Sequence, residues 1–363
     1  MNTQKNQDLT VGVIGGTGYA GGELCRLLLG HPNVARILPT SREEKDFEEI
    51  HPNLLGSGLS FLTADRLAER AEELDVVFFS TPTGEAMRTA RHYLDRGARV
   101  IDLSADFRFA DPAAYERAHG PRHESPDLLR EAVYGVTELY REHIAKARLV
   151  ANPGCYAITA ILGLTPLLQG PAAGRRVSVH AVNGTTGAGV TPKRALMHAE
   201  VAGSMLAYSL GGHRHGPELE EVLGGLSGRP VEVDLNTTHG DFARGIHLQA
   251  NVDVPAGTTR DDLVALYQEF YGAGAAGEYF VRVNARSPRG GMNVKDYSLY
   301  PSIAAVNGSN FCHLGLDVDT ERNIAKVVAV TDNLVKGAAG SAIQNMNVML
   351  GIDETTGLRH HAL

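Results

Sequence analysis

Cysteine is scarce in this sequence. Only three occur in 363 residues, Cys25, Cys155 and Cys312, and their number and wide spacing exclude a disulfide framework and a Cys-x-x-Cys metal clip. Such scarcity is typical of a reducing compartment. Because the polar N-terminus runs directly into a strand-like segment with no apolar signal core before it, we expect a cytoplasmic protein.

The sequence also lacks long apolar runs and an excess of basic residues. Its longest apolar stretch, residues 157–168, is broken by Thr and Pro and falls well short of the roughly 20 residues that a membrane span needs. Lys and Arg total 34 against 42 Asp and Glu, which gives a net charge of −8. We therefore expect neither a membrane nor a nucleic acid as partner, and an anionic ligand must be bound by locally placed cations or backbone amides.

What remains is an ordinary globular composition, 43% apolar and 21% charged, over a length that predicts two domains. In the first half, short apolar strands alternate with helical patterns, which predicts an α/β fold with a Rossmann-type doubly wound parallel sheet. The strands are predicted at residues 9–15, 34–38, 75–80, 99–103 and 147–151, and a helix at 84–96.

Beyond about residue 155 the strands lengthen and alternate apolar with polar residues, which predicts an α+β domain with a largely antiparallel sheet. These strands are predicted at residues 177–182, 231–235, 246–254, 312–318 and 324–330, the last two joined as a hairpin. A final helix at about 334–350 is rich in small residues, and we expect it to return to the first domain. The predicted domains are thus residues 1–154 completed by 333–363, and residues 155–332.

A glycine-rich turn, residues 15–21 (GGTGYAG), lies between the first strand and a helical pattern. Glycines permit a tight turn there, and the N–H groups of the helix N-terminus can bind a pyrophosphate. The spacing departs from Gly-x-Gly-x-x-Gly, so the turn indicates a dinucleotide site only together with the strand, the helix and the continuing alternation. The alternative is a plain strand-to-helix turn.

The end of the second strand indicates which dinucleotide is bound. NAD sites place an Asp or Glu there to bind the ribose 2′-hydroxyl, whereas this chain has Thr40, Ser41 and Arg42. A hydroxyl and a guanidinium favour a 2′-phosphate and hence NADP(H), with Glu43 and Glu44 as counter-evidence. The alternative for Arg42 is a solvated loop cation.

Cys155 follows Asn152-Pro153-Gly154 and opens an apolar helical segment. Because a helix N-terminus lowers the pKa of a thiol, this position favours a nucleophilic thiolate. The alternative is a small buried hydrophobic residue, which is the stronger interpretation for Cys25 and Cys312.

Two histidines and a carboxylate lie in residues 211–218 (GGHRHGPE). His213 and His215 point the same way if Arg214 is extended, and Glu218 can reach back toward His215 from the first turn of the helix that Pro217 favours. A carboxylate beside an imidazole supports a base that activates a thiol. A zinc site is the competing functional interpretation, although no third strong ligand is evident nearby. The alternative without a function is a pair of surface histidines beside a helix cap.

Two further segments suit anion or ring binding. Arg108, in residues 104–108 (SADFR), follows a strand at the carboxyl edge of the predicted sheet, where it can bind a phosphate or carboxylate or pair with Asp106. Residues 183–189 (NGTTGAG) offer backbone donors with little side-chain bulk, which suits a loop that closes on a flat ring or a plain flexible connection.

Taken together, these segments resemble the N-acetyl-gamma-glutamyl-phosphate reductase family, the arginine-pathway members of the semialdehyde dehydrogenase group. The resemblance covers nearly the whole chain and rests on GGTGYAGGEL, TSR, IDLSADFR, NPGCY, the Thr-Gly-Ala-Gly loop, AYSLGGHRHGPE, VNGSNFC, TDNLVKGAAGSAIQNMN and DETTGL. It implies NADPH-dependent reductive dephosphorylation of an acyl phosphate through a cysteine thioester. A homo-oligomer, a dimer or tetramer formed by the catalytic second domain, is also implied.

The resemblance implies a role for each candidate. Cys155 is the nucleophile, His215 the base and Glu218 its partner, while His213 contacts the substrate and Arg108 the phosphate. The implied NADP(H) contacts are Gly15, Thr17, Gly18, Tyr19, Ala20, Ser41, Arg42, Thr186, Gly187 and Asn333, and no metal is expected.

Other functions stay open from the sequence alone. A related enzyme acts on an aminoadipyl phosphate carried by a small acidic protein in lysine biosynthesis and shares most of these motifs. An NADP-binding redox sensor would use the same glycine turn but would not need Cys155 with the HRH segment. A zinc-dependent reductase would carry bound metal.

Overall fold

The protein is described here by a computed structural model that covers residues 8–43, 45–170, 174–272, 277–287 and 295–362. The chain forms two compact units, residues 1–154 with 338–360, and residues 155–337 with 361–363. Among the residues described, no helix has both the length and the apolar character needed to cross a bilayer.

The first unit contains a six-stranded sheet in the order β2-β1-β3-β4-β6-β5, in which every neighbouring pair is parallel. Its strands are β1 (Leu9–Ile14), β2 (Val34–Pro39), β3 (Val76–Phe79), β4 (Arg99–Asp102), β5 (Val133–Tyr134) and β6 (Leu149–Ala151). Its helices are α1 (Tyr19–Leu29), α2 (Phe47–Ile50), α3 (Ala64–Ala68), α4 (Ala86–Leu94), α5 (Pro112–His119), α6 (Pro126–Glu131) and α7 (Thr137–Ile144). The predicted doubly wound parallel sheet is confirmed.

The second unit contains a seven-stranded sheet in the order β11-β12-β13-β10-β7-β9-β8. Its strands are β7 (Arg176–Asn183), β8 (Leu206–Tyr208), β9 (Glu232–His239), β10 (Ile246–Asp253), β11 (Val281–Val283), β12 (Cys312–Asp319) and β13 (Ile324–Thr331). Its helices are α8 (Cys155–Gln169), α9 (His198–Val201), α10 (His215–Ser227) and α11 (Arg260–Tyr271). The predicted hairpin of β12 and β13 is confirmed by their antiparallel register.

The sheet of the second unit is largely antiparallel, as predicted, but two of its pairs are parallel. Strand β7 pairs parallel with β9, and β11 pairs parallel with β12. The chain between β7 and β9 contains α10, and a crossover of that length returns the chain to the same end of the sheet, which makes the pair parallel. Alternation of apolar and polar residues shows which face of a strand is buried, but it does not show whether the neighbouring strand runs parallel or antiparallel.

Helix α8 forms the core of the second unit and is buried along nearly its whole length. Pro166 lies inside it and has no N–H to donate to the carbonyl of Leu162, four residues earlier. That carbonyl instead accepts a hydrogen bond from the Tyr271 hydroxyl at 2.6 Å, and the Tyr267 hydroxyl donates to the Gly163 carbonyl at 2.6 Å. Tyr271 of α11 therefore compensates for the N–H that the proline lacks, and Tyr267 adds a second bond to the same stretch of α8.

The predicted final helix begins with a π-helical turn, Val335–Ala339, and continues as α12 (Gly340–Met349). Helix α12 lies in the first unit, where it packs against α1, α7 and β4. Buried amides hold it there, because Asn345 Nδ2 donates to the Gly135 carbonyl at 2.9 Å and to Asn152 Oδ1 at 3.1 Å.

Candidate active site

The glycine turn packs closely at the end of β1. Gly15 has φ of +84°, and a Cβ added there would lie 2.4 Å from the carbonyl oxygen of Ser80. A Cβ on Gly21 would lie 2.4 Å from the Gly15 carbonyl oxygen. Both positions require glycine, because the turn folds back on its own main chain and on the strand beside it.

The N-terminus of α1, at the end of this turn, suits an anion. The residue before the helix is Gly18, which has no side chain to cap the first N–H groups, and the first turn carries no acidic residue. Thr17 and Tyr19 flank Gly18, Ala20 follows within the first turn of α1, and the Tyr19 side chain is exposed. The residues present therefore fit a dinucleotide pyrophosphate, which would be bound by main-chain N–H groups.

His51 supports this turn and was not predicted from the sequence. Its Nε2 lies 2.7 Å from the Gly16 carbonyl oxygen, and its ring lies so close to Gly22 that a Cβ there would be 2.4 Å from the imidazole. The contact joins positions 35 residues apart, and no local pattern around His51 indicates it.

The end of β2 is tied to the same turn. Thr40 accepts hydrogen bonds from Gly15 N and Gly16 N, and Ser41 is buried with its hydroxyl accepting from Glu43 N at 3.3 Å. Arg42 is exposed, and its guanidinium pairs with Glu85 at 2.6 Å. Arg42, the residue predicted to bind a 2′-phosphate, thus follows the segment that is tied to the glycine turn, and it forms an ion pair with a carboxylate.

Arg108 is buried and donates to two main-chain carbonyls. Its Nε lies 3.0 Å from the Asn152 oxygen and its Nη2 lies 2.8 Å from the Leu103 oxygen. Asp106, the alternative partner from sequence, accepts hydrogen bonds from Gly84 N and Met87 N and so fixes the start of α4. Arg108 therefore holds the segment just before Cys155, and its contact with a substrate phosphate stays a prediction.

In the second unit, Cys155 is the first residue of α8, as predicted, and is partly exposed, whereas Cys25 and Cys312 are buried. Its sulfur accepts from Asn183 Nδ2 at 3.7 Å. The π-helical turn lies against it, since a Cβ added to Gly337 would be 2.9 Å from the Cys155 Cβ. The lack of a side chain at Gly337 thus lets the cysteine approach this segment closely.

The histidine turn precedes α10. His215 is the first residue of that helix and Glu218 lies one turn later on the same side, both buried. His213 accepts a hydrogen bond from His215 N at 3.1 Å through its Nδ1, and the two rings lie 4.7 Å apart. Burial, with the Arg214 charge, lowers the pKa of His213 to about 4, so His213 is neutral at physiological pH.

Two tyrosines join the cysteine to the histidines, and the sequence did not single them out. The ring of Tyr156, directly after Cys155, lies 5.5 Å from that of His213 and 5.9 Å from that of His215. Its hydroxyl lies 3.0 Å from the Tyr208 hydroxyl. Burial raises the pKa of both tyrosines, so they are neutral hydrogen-bonding groups. Their only signal was their position inside the two recognised motifs.

The glycine-rich loop after β7 is held by Asn333. Asn333 Nδ2 donates to the Thr186 hydroxyl at 3.0 Å, and its Oδ1 accepts from Gly245 N at 2.8 Å. Gly187 has no room for a side chain, because a Cβ there would be 2.2 Å from Asn183 Nδ2. The structure thus places the predicted cofactor contacts Thr186, Gly187 and Asn333 next to one another in the second unit.

Within the described ranges, no three or more His, Cys, Asp or Glu side chains are grouped so that they could hold a metal ion.

Comparison with known proteins identifies the family. Residues 10–147 match the NAD binding domain of semialdehyde dehydrogenase, and residues 155–333 match its dimerisation domain. The chain is 40% identical over 356 residues to the N-acetyl-gamma-glutamyl-phosphate reductase of Nitrosomonas europaea, covering 97% of this chain and 98% of the relative. It is 39% identical over 361 residues to a putative LysW-L-2-aminoadipate/LysW-L-glutamate phosphate reductase of Cenarchaeum symbiosum, covering 98% and 99%.

Among solved structures, the fold matches aspartate semialdehyde dehydrogenase II of Vibrio cholerae with a TM-score of 0.68 and 16% identity, covering 95% of this chain and 99% of that one. These matches confirm the resemblance drawn from the motifs and the dinucleotide-binding character of the first unit. The chain therefore belongs to the N-acetyl-gamma-glutamyl-phosphate reductase family of the semialdehyde dehydrogenases and is an oxidoreductase.

Proposed function

We propose that this protein reduces N-acetyl-gamma-glutamyl phosphate to N-acetylglutamate semialdehyde with NADPH and releases inorganic phosphate. The observation that carries the proposal is the position of Cys155, partly exposed at the N-terminus of α8 beside the histidine turn of the same unit. The name of the Nitrosomonas europaea relative supports the choice of substrate.

The proposed reaction begins at Cys155. Its thiolate attacks the acyl carbon, the carbon–oxygen bond to phosphate breaks, and inorganic phosphate leaves with the electron pair, which yields a thioester on Cys155. The N–H groups at the start of α8 stabilise the oxyanion that forms on the carbonyl oxygen. Arg108 is assigned to the phosphate by the family resemblance. Hydride addition to the thioester carbon gives a thiohemiacetal, whose collapse releases the aldehyde and regenerates the thiol.

The proposed base is His215, which takes the thiol proton and returns it when the thiohemiacetal collapses. Glu218, on the same side of α10, would orient the imidazole and stabilise its protonated form. His213 suits a substrate contact better than a base, because its pKa of about 4 keeps it neutral and its Nδ1 already accepts from the main chain.

The dinucleotide supplies a hydride when it is bound. The glycine turn and the N-terminus of α1 would hold its pyrophosphate, and Ser41 and Arg42 would recognise a 2′-phosphate. Thr186, Gly187 and Asn333 are assigned to the nicotinamide side by the family resemblance. A homo-oligomer formed through the second unit is supported by the dimerisation-domain match, and three cysteines that form no disulfide suit the cytoplasm.

A second candidate substrate is a carrier-bound aminoadipyl phosphate, since the Cenarchaeum symbiosum relative is nearly as similar as the Nitrosomonas europaea one. The experiment that separates them is the phosphate-dependent reverse reaction with NADP and two aldehydes, N-acetylglutamate semialdehyde and its aminoadipate homologue. We expect a higher kcat/KM for the former. A clear preference for the longer or carrier-bound aldehyde would replace the proposed substrate.

A further inference from the structure

The side chain of Asn183 lies at the candidate nucleophile and has no role assigned so far. Asn183 is the last residue of β7, a central strand, with Ile246 of β10 and His239 of β9 opposite it on its two sides. Its amide Nδ2 lies 3.7 Å from the Cys155 sulfur, and the residue is only 1% exposed. The donor is therefore held on a rigid element and shielded from water.

The hydrogen bonding of the Asn183 amide is unusual for a residue with only a packing role. Asn183 Oδ1 is buried and has no hydrogen-bond partner among the residues that the structure describes. A buried amide with one unsatisfied atom is unfavourable, and an apolar side chain of similar shape would avoid that cost. The neighbouring loop also makes room for the amide, because any side chain at Gly187 would collide with Nδ2.

We propose that Asn183 is a catalytic residue whose Nδ2 hydrogen bond stabilises the Cys155 thiolate and aims it for attack. A neutral N–H donor lowers the free energy of the thiolate more than that of the thiol, because the negatively charged sulfur is the stronger acceptor. Since the donor is fixed by the sheet, the stabilisation is present before substrate binds. This role rests on the proposed use of Cys155 as nucleophile.

The test is the rate of Cys155 alkylation by iodoacetamide as a function of pH, which needs no substrate or dinucleotide. In Asn183→Ala we expect the alkylation pKa to rise by about one unit, hence about tenfold less thiolate below that pKa. In Asn183→Asp, which keeps the shape but replaces the donor with an acceptor, the rise should be at least as large. The kcat of both variants should fall with little change in the KM for NADPH.

The matched control is Asn236→Ala, on the neighbouring strand β9, where the amide contacts Asp234 and not the cysteine. Its alkylation pKa should equal that of the unmodified protein. Tyr156 and Tyr208 are the titratable groups whose hydroxyls meet beside Cys155, and His213 and His215 pack against Tyr156. The Asn183 side chain also interacts with the Tyr156 hydroxyl, and the His239 ring bonds the main chain of Asn183. All five of these titratable residues are unchanged in every variant, so a shifted profile reports the loss of the Asn183 amide.

A measurement on the unmodified protein covers the case in which the variants fail to fold. The Asn183 side-chain amide proton should shift in NMR spectra with the same pKa as the alkylation rate, and that titration should vanish after Cys155 is alkylated. The inference is overturned if the chemical shift of the Asn183 amide proton does not change as the thiol titrates. It is also overturned if the alkylation pKa is unchanged in folded Asn183→Ala and Asn183→Asp. Failure to reduce an acyl phosphate, with the shifts intact, overturns only the proposed function.

Discussion

Exposure separates Cys155 from the other two cysteines, all of which lie in described segments. Cys25 and Cys312 are buried, and burial raises the pKa of Cys25 to about 12, which leaves almost no thiolate there at neutral pH. Cys155 is partly exposed at a helix N-terminus, where thiolate is favoured. The reactivity of the three thiols should therefore differ sharply.

We expect stoichiometric alkylation to modify Cys155 first and to abolish activity. Cys155→Ser should lower kcat below detection while leaving NADPH affinity nearly intact, because a serine hydroxyl is not ionised at neutral pH. Peptide mass mapping and dinucleotide titration are the measurements. Modification of Cys25 or Cys312 first, with activity retained, would contradict the assignment.

The two histidines of the turn should respond differently to substitution. His215→Ala should slow thioester formation by about 10² to 10⁴ and raise the alkylation pKa of Cys155, because the proposed general base is lost. His213→Ala should mainly raise the KM for the acyl phosphate, and Glu218→Gln should cost less than His215→Ala. The rate of Cys155 alkylation against pH in the three variants shows which histidine acts as the base. A shifted alkylation pKa in His213→Ala, without one in His215→Ala, would mean that the two roles are exchanged.

Because Arg42 is the proposed 2′-phosphate contact, its pairing with Glu85 should let substitutions change the preference for NADPH over NADH in either direction. We expect Arg42→Ala to narrow the preference for NADPH over NADH by about 1 kcal/mol, a modest amount because both side chains are exposed. Glu85→Gln removes the competing carboxylate and should widen the preference. The ratio of kcat/KM values for the two cofactors, at low and high salt, is the measurement, and equal efficiencies in the unmodified protein would exclude a 2′-phosphate site.

At the scale of elements, the sequence predicted those helices, strands and turns that have a recognisable pattern within their own residues. Strands such as β10 and β13 are long and periodic, and the glycine turn joins a strand to a helix over a few residues. Three strands of two or three residues, β5, β8 and β11, were missed. The equally short β6 was predicted because its three residues, which are buried, are all apolar. Contacts between distant segments, such as His51 with the glycine turn and Asn183 with Cys155, have no local signal at all.

The π-helical turn, Val335–Ala339, packs closely against Cys155. A methyl group at Gly337 would lie 2.9 Å from the Cys155 Cβ, so Gly337→Ala must displace either the turn or the start of α8. We expect a loss of about 1 to 3 kcal/mol in the free energy of unfolding and slower alkylation of Cys155.

The control for Gly337→Ala is Gly225→Ala in α10, where no atom lies within 4 Å of an added Cβ. This substitution should leave alkylation unchanged and stabilise the helix slightly. Thermal unfolding and alkylation rates measured on both variants give the comparison, and equal alkylation rates would show that the turn does not confine the cysteine.

At the scale of the whole molecule, buried titratable groups set how stability depends on pH. Burial lowers the pKa of six histidines below the ordinary value of 6.5, namely His31, His123, His213, His239, His247 and His313. As the pH falls through 6.5, the unfolded chain takes up protons at these positions and the folded protein does not, so stability is lost on acidification. Asp102 acts in the opposite direction, because burial raises its pKa to about 7 and the folded protein binds that proton first.

With six such histidines against one such carboxyl among the described residues, we expect the unfolding temperature to be constant between about pH 7.5 and 8.5 and to fall steadily toward about pH 5.5. His31→Gln, which keeps an amide near Asn347, should make the fall less steep, because one buried imidazole is removed. His198→Gln alters an exposed histidine and should leave the slope as it is. Calorimetry across this pH range measures the net change in stability from all these groups. A pKa difference of one unit between the folded and unfolded states corresponds to about 1.4 kcal/mol per histidine. An unfolding temperature that rises on acidification would mean that Asp102 and other carboxyls outweigh the histidines.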